Sequence, residues 1–241
     1  MKILLVSDIH ANFPALAAVE RYFEGEVFDA VINAGDSTVY GPFPNETINW
    51  LRARQSLSIL GNTDKKVLKL LAGKPLKKPS KHEKRIMYTW TAEQMLAENA
   101  IYLRSLPTSI LLDPDGNPAL KIGVFHGSPL DDDEFLFPET SAERLSELAA
   151  QTPARIIITG HSHSPFHRTA GTTHFINPGS VGRMFDNDPS ASCAVLALTA
   201  ETIRIRHFRI AYPVQEVVDG LKKNLLPEIY GRMFVLGRKL N

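Results

Sequence analysis

Apolar positions in this chain follow two rhythms. Short continuous runs such as Ile3-Leu4-Leu5-Val6, Ile122-Gly123-Val124-Phe125 and Ile156-Ile157-Ile158 read as strands buried on both faces. Between the early runs, apolar residues recur three or four apart, as in Leu16, Val19 and Phe23, the spacing of a helix with one buried face. Residues 1–62 thus predict strand 2–7, a helix at about 14–24, strand 28–34, a helix at about 44–53 and strand 57–60. Strands separated by helices predict parallel βαβ units. Residues 65–105 break the alternation and predict helices at about 64–72, 80–97 and 99–105, with Asn99 placed to cap the last. The second half predicts strands at about 108–113, 119–125, 155–159, 165–170, 173–177, 193–198 and 202–210. A helix at about 141–151, begun near Ser141, interrupts them, and Asp115-Gly116-Asn117-Pro118 and Gly171-Thr172 read as hairpin turns. The expected organisation is one domain over 1–212, with a helical insertion at about 64–106. A helical extension over 213–241 would pack on the body or on a second subunit, leaving a homo-oligomer open.

The ends of the apolar runs carry a second pattern. Asp8 and His10 follow the first run, Asp36 follows Val31-Ile32-Asn33-Ala34-Gly35, and Asn62 follows Ile59-Leu60-Gly61. His126 follows Ile122 to Phe125, and Gly160-His161-Ser162-His163 follows Ile156 to Ile158. In open sheets with helical crossovers, ligands gather at the carboxyl ends of strands. Seven metal-binding side chains are therefore expected in one region. Three carboxylate or amide oxygens and four imidazoles suit a pair of borderline cations better than one.

Composition narrows the setting. The chain has 241 residues, 27 basic against 26 acidic, so net charge does not imply nucleic acid. A lone Cys193 excludes an intrachain disulfide and fits a reducing compartment. No apolar run approaches the ~20 residues of a membrane span. The N-terminus enters a strand at Lys2 without the pattern of a secretory signal, so the cytoplasm is the expected location.

In order, Asp8-x-His10, Gly35-Asp36, Gly61-Asn62, His126 and Gly160-His161-x-His163 resemble the signature of the calcineurin-like metallophosphoesterases. Tyr40-Gly41-Pro42 and Asn177-Pro178-Gly179-Ser180-Val181-Gly182 resemble the small prokaryotic branch of that superfamily, which contains phosphodiesterases and phosphatases, some acting on diadenosine polyphosphates. The resemblance runs from residue 1 to about 200. It implies an α/β fold, a four-layer α/β/β/α sandwich with two packed mixed sheets. It also implies that Asp8, His10, Asp36 and His163 hold a first metal, and Asp36, Asn62, His126 and His161 a second. The implied cofactors are two divalent or trivalent ions among Mn, Fe, Zn, Co and Ni.

Two cations ~3.5–4 Å apart repel, so anionic ligands must bridge them. Asp36, with two carboxylate oxygens, is one; a hydroxide is the natural other. A metal-bound water can reach a pKa near ~7, and the expected step is in-line attack of that hydroxide on phosphorus. Asp36, Asn62 and His126 are the expected catalytic residues. Asn62, Tyr40 and Arg183 are the expected substrate contacts: Arg183 or the loop amides before it for a phosphate, Tyr40 for a base. The substrate is expected to be a small phosphodiester or nucleotide polyphosphate. The rivals are a phosphomonoesterase of the same fold and a non-catalytic interaction module, as in the retromer subunit of this fold. A nucleic-acid phosphodiesterase is disfavoured because the basic stretch lacks a clear stacking platform.

One position departs from the family pattern. The superfamily usually places His after Gly-Asn, to protonate the leaving oxygen; here the order is Gly61-Asn62-Thr63-Asp64. A threonine hydroxyl is too weak an acid for that work. Asp64 falls where the family's His-orienting acid is expected. Two charge runs flank the motifs. Residues 65–85 carry nine Lys or Arg against Glu83 alone, which reads either as a solvated helix face or as a rim attracting a polyanion. Asp131-Asp132-Asp133-Glu134 reads as a solvated loop, or as the opposite wall of the site. His82, His167, His174 and His207 read as surface or structural histidines.

Overall fold

A computed structural model describes residues 1–117, 120–199 and 201–240. Two five-stranded mixed sheets form its centre. The first has the order β10-β9-β1-β2-β3 and comprises β1 (Lys2–Val6), β2 (Ala30–Asn33), β3 (Leu57–Ser58), β9 (Ala191–Leu198) and β10 (Ile203–Ile210). The second has the order β4-β5-β6-β8-β7 and comprises β4 (Ser109–Leu112), β5 (Ile122–Phe125), β6 (Ile156–Ile158), β7 (Phe166–Ala170) and β8 (Thr173–Asn177). As the alternation predicts, β1, β2 and β3 pair in parallel. So do β5, β6 and β8, while β4, β7, β9 and β10 join antiparallel.

The continuous apolar runs have a simple cause. Ile3 and Leu5 of β1, Ile32 of β2, and Ile122, Val124, Ile156, Ile158 and Ile176 of the second sheet meet in one buried layer between the sheets. The alternate residues Leu4 and Val6 face a second core with the helices α1 (Phe13–Tyr22), α2 (Pro44–Ala53), α3 (Asn62–Leu71), α4 (His82–Gln94) and α5 (Ala97–Ser105). Ile157 and Phe175 face α6 (Ala142–Ala149) through Leu145 and Leu148. A strand covered on both sides has no polar alternation to show. The result is the four-layer α/β/β/α arrangement.

Helix starts follow local chemistry. The Asn12 side chain accepts from the Ala15 N–H and caps α1. Ser141 does the same for α6 through Arg144, as expected. Asn99 does not cap α5; it lies inside that helix, which starts two residues earlier. Its amide nitrogen donates to Asn45 Oδ1 at 3.0 Å and its oxygen accepts from Arg52 at 2.9 Å, so it ties α5 to α2. The chain ends in α7 (Val214–Lys223) and α8 (Glu228–Leu236). Helix α7 packs on α1 and α8 on α7, and Tyr230, Met233 and Phe234 enter the helical core. Pro118, in the expected turn, Ala119, at the expected start of β5, and Asn241 lie outside the described residues.

Candidate metal centre

The loops after β1, β2, β5 and β6 converge at one edge of the sandwich. Two groups of side chains meet there: Asp8, His10 and His163, and Asp36, His126 and His161. All six residues are buried, and within each group the ligand-type atoms lie within 4.8 Å of one another. Asp36, a member of the second group, also approaches the first. Its Oδ1 is 3.5 Å from His126 Nε2 and its Oδ2 is 3.9 Å from His10 Nε2. His10 Nε2 and His163 Nε2 are 3.1 Å apart, and His163 Nε2 is 3.3 Å from Asp8 Oδ1.

Convergence of this kind strains the backbone. Asp8, His10, Asp36, His161 and His163 have φ values of +50°, +52°, +53°, +64° and +57°. Left-handed conformations at residues other than glycine cost about 1–3 kcal/mol each and persist where the surroundings impose them. Here backbone bonds stitch the loops together: Asp8 N–H to Gly35 O, His10 N–H to Asp36 O and Gly160 N–H to His126 O, each at 2.9 Å. The motif glycines serve the same closeness. A Cβ at Gly61 would collide with the Asp36 carboxylate, and one at Gly160 with Ser7 Oγ.

The donor set fits cations. His126 Nδ1 is bonded to the Ala34 carbonyl at 2.8 Å, His163 Nδ1 to the Arg183 carbonyl and His10 Nδ1, more loosely, to the Thr38 carbonyl at 3.4 Å. Each bond fixes the tautomer that leaves Nε2 as a ligand atom. Asp8 Oδ1, His126 Nε2 and His161 Nε2 are buried without a hydrogen-bond partner. Buried polar atoms are rarely left unpaired, so one in the first group and two in the second mark places made for ions. Asp8 Oδ2 is held by Ser7 Oγ at 2.6 Å and the His161 N–H at 3.0 Å, which leaves Oδ1 facing inward.

Electrostatics lock the set. Burial works against charge on Asp36, but His126, His10 and the Thr63 N–H outweigh it and hold the carboxyl well below the usual range. Burial likewise opposes charge on His126, yet Asp36 lifts it to about 10. Burial pushes His10 down to about 3. In chelator-stripped protein at neutral pH, a proton therefore competes for His126 but not for His10. Metal affinity should rise as pH goes from about 6 to about 9, because binding displaces that proton. A dissociation constant independent of pH over that range would contradict the assignment of His126 as a ligand.

Asn62 opens α3 at the edge of the centre. Its amide nitrogen donates to Asp133 Oδ1 at 2.9 Å, which leaves Oδ1, the atom a cation would take, without a donor among the described residues. Thr63 is buried, with its N–H on Asp36 Oδ1 at 2.8 Å and its hydroxyl turned to the Thr38 carbonyl. Asp64 is not placed to orient a group at position 63. Its carboxylate accepts from Ser37 N, Thr38 N, Thr38 Oγ1 and Gly61 N, and so clamps the Asp36 loop to the start of α3. Asp64→Ala strands these buried donors and should cost about 3 kcal/mol or more, at 1–3 kcal/mol for each unsatisfied group. Urea unfolding measures this, and an unchanged midpoint would refute the clamp.

The glycine-rich loop after β8 spends its amides internally. Val181 and Gly182 donate to the Ser7 and Asp8 carbonyls, Gly179 to Asn177 Oδ1 and Arg183 to Ser180 Oγ. Of the expected phosphate donors in this segment, only the Arg183 side chain remains. It is 7% exposed and pairs with no carboxylate among the described residues, which excludes the surface ion pair. Its guanidinium carbon lies 4.0 Å from the Tyr40 ring centre and is flanked by Phe185 and Tyr230. Tyr40 in turn packs on Tyr230 at 5.4 Å and edge-on to His10.

Arg183, Tyr40 and Phe185 line a cleft of about 340 Å³ over the centre. His10, Asp36, Asn62, His161 and His163 reach it, with Lys66, Lys78, Lys84 and Lys239 around them. The acidic loop borders the neighbouring hollow, where Lys65 pairs with Asp132. The sequence reading missed Phe135 and Phe185, which stack on His161 and His163 at 4.1 and 4.5 Å. Phe185, two residues past Arg183, had no periodic signal to mark it. His167 and His174 stack on each other away from the centre.

The profile of the Calcineurin-like phosphoesterase superfamily domain matches residues 1–201. The chain belongs to this superfamily. It is 29% identical to the uncharacterized protein MJ0912 of Methanocaldococcus jannaschii over 253 residues, covering 98% of both chains. Among solved structures, a metallophosphoesterase from Sphaerobacter thermophilus is 26% identical, covers 98% of this chain and 99% of its own, and superposes with a TM-score of 0.81. The protein PH1004 from Pyrococcus horikoshii OT3 shares the fold with a TM-score of 0.85 at 20% identity, covering 99% of each chain. Among the described residues of this superfamily member, no helix is long and apolar enough to cross a membrane.

Proposed function

We propose that this chain is a dinuclear metal-dependent phosphohydrolase acting on a phosphodiester or a nucleotide polyphosphate. The observation that carries the reading is Asp36, which belongs to the group of His126 and His161 through Oδ1 and approaches His10 of the other group with Oδ2, beside ligand atoms left unpartnered among the described residues. Asp8, His10, Asp36 and His163 would hold one ion, and Asp36, Asn62, His126 and His161 the other. Bound there, two cations supply Lewis acidity toward phosphoryl oxygens and a water acidified enough to act as nucleophile.

The protein's own part is positioning. Asp36 sets the spacing of the two ligand groups, and the carbonyls of Ala34, Thr38 and Arg183 orient the imidazoles. Asn62 and Arg183 line the cleft over the ligand groups and would contact phosphoryl oxygens of the substrate, while the Tyr40 ring face packs against the guanidinium, which disfavours its stacking on a base. Thr63 offers no proton, because its hydroxyl is turned to a carbonyl. That favours substrates whose leaving oxygen carries negative charge unaided.

The experiment is a screen of protein reconstituted with Mn, Fe, Zn, Co or Ni against phosphomonoesters, bis-aryl phosphodiesters and dinucleoside polyphosphates. The expected result is metal-dependent turnover, faster on diesters or polyphosphates than on monoesters. Preference for monoesters selects the phosphomonoesterase, and inertness in every combination selects the interaction module.

A further inference from the structure

We propose that the cleft contains a second phosphoryl subsite, formed by Arg183, Lys66, Lys84 and Lys239, which takes the non-reacting phosphate of a substrate with at least two linked phosphoryl groups. It rests on the phosphohydrolase reading and narrows its substrate class. The first observation is Arg183. A buried guanidinium normally has a carboxylate partner, since an unpaired buried charge costs several kcal/mol. Here Nε has no partner among the described residues, and Nη2 meets the Met233 sulfur at 3.2 Å. Aromatic faces around it stabilise the cation, and the Tyr40 hydroxyl meets it, but no carboxylate among the described residues competes for its donors.

The second observation is independent. Lys66 comes from α3, Lys84 from α4 and Lys239 from the end of the chain, yet all line the cleft that Arg183 lines. None pairs with a carboxylate among the described residues. The cleft lining holds five Lys and Arg side chains, counting Lys78, against one carboxylate, Asp36. A solvated helix face would spread such charges outward; segments this far apart in sequence bring them together. Crowding is already felt at Lys84, whose ammonium is lowered first by burial and then by Lys239, Arg183, Lys81 and Lys66. An anion relieves this repulsion, and cations held by the two ligand groups, with Asn62 beside them, would take the reacting phosphate. The excess charge is suited to a second one. Lys239 lies beyond the matched family domain, with α8 supplying Tyr230 and Met233 behind Arg183, so the C-terminal segment would act as a specificity element.

The test uses the metal-loaded full chain, dialysed free of excess cation, titrated calorimetrically with orthophosphate and with methylenediphosphonate. The diphosphonate should bind about tenfold tighter or more, the worth of one charge-assisted contact. In Lys84→Ala/Lys239→Ala, whose altered side chains are partly or fully exposed, that ratio should fall toward one. A ratio near one in the wild type, or one unchanged in the variant, overturns the subsite. The two readings fail separately. Lysine-dependent preference for diphosphonate in a chain inert toward every ester keeps the subsite and removes the hydrolase. Ester hydrolysis without that preference does the reverse.

Discussion

Asp36→Ala should lower bound metal and cut hydrolysis by about 10³-fold or more. The estimate follows from Lewis-acid stabilisation worth several kcal/mol, at 1.36 kcal/mol per tenfold. The geometry explains why this position outranks its neighbours. Among the described residues Asp36, itself in the second group, presents Oδ1 to His126 there and Oδ2 to His10 of the first group. Removing it leaves two cations facing each other with one fewer negative charge between them, and it removes the acceptor for the Thr63 N–H. The apparent effect on folding is smaller than on activity, because Asp64 separately holds the Ser37 and Thr38 amides. Metal content by mass spectrometry and kcat/KM on a bis-aryl phosphodiester measure the two losses together. Near wild-type values for both would remove Asp36 from its bridging position.

The second large effect concerns the leaving group. With Thr63 in place of the usual acid, log(kcat/KM) should fall steeply as the leaving-group pKa rises. A nitrophenolate or nucleotide phosphate bears the developing charge; a simple alkoxide does not. The missing acid should penalise alkyl esters by about 10²–10⁴ relative to aryl esters, the usual worth of general acid catalysis. Thr63→His should recover little of this, because the Asp64 oxygens that would orient an imidazole are already taken by Ser37, Thr38 and Gly61. A flat plot for the wild type would mean that another residue supplies the proton.

What could be read from the chain alone has a common physical origin. Strands β1 and β6 are covered on both faces, so they write themselves as unbroken apolar runs. The polar residues at their ends stand out because the surroundings are apolar, and the glycines beside Asn62 and His161 stand out because neighbouring loops approach too closely for a Cβ. Local caps such as Ser141 were legible for the same reason: their partner lies three residues away. Asn99 was misread because its partners, Asn45 and Arg52, lie on another helix. Asp64 was misassigned similarly, since the loop it clamps is far away in sequence. The wall of the cleft was least legible. Arg183, Lys84 and Lys239 meet only through the packing of α8 against the helical core, and no periodicity in any one segment records that meeting.

A crystal structure of metal-loaded protein, with anomalous scattering data at the edge of the bound metal, tests the central claim most directly. The account predicts two anomalous peaks about 3.5–4 Å apart with one Asp36 oxygen on each. A single peak, or two peaks with Asp36 on only one of them, would contradict it.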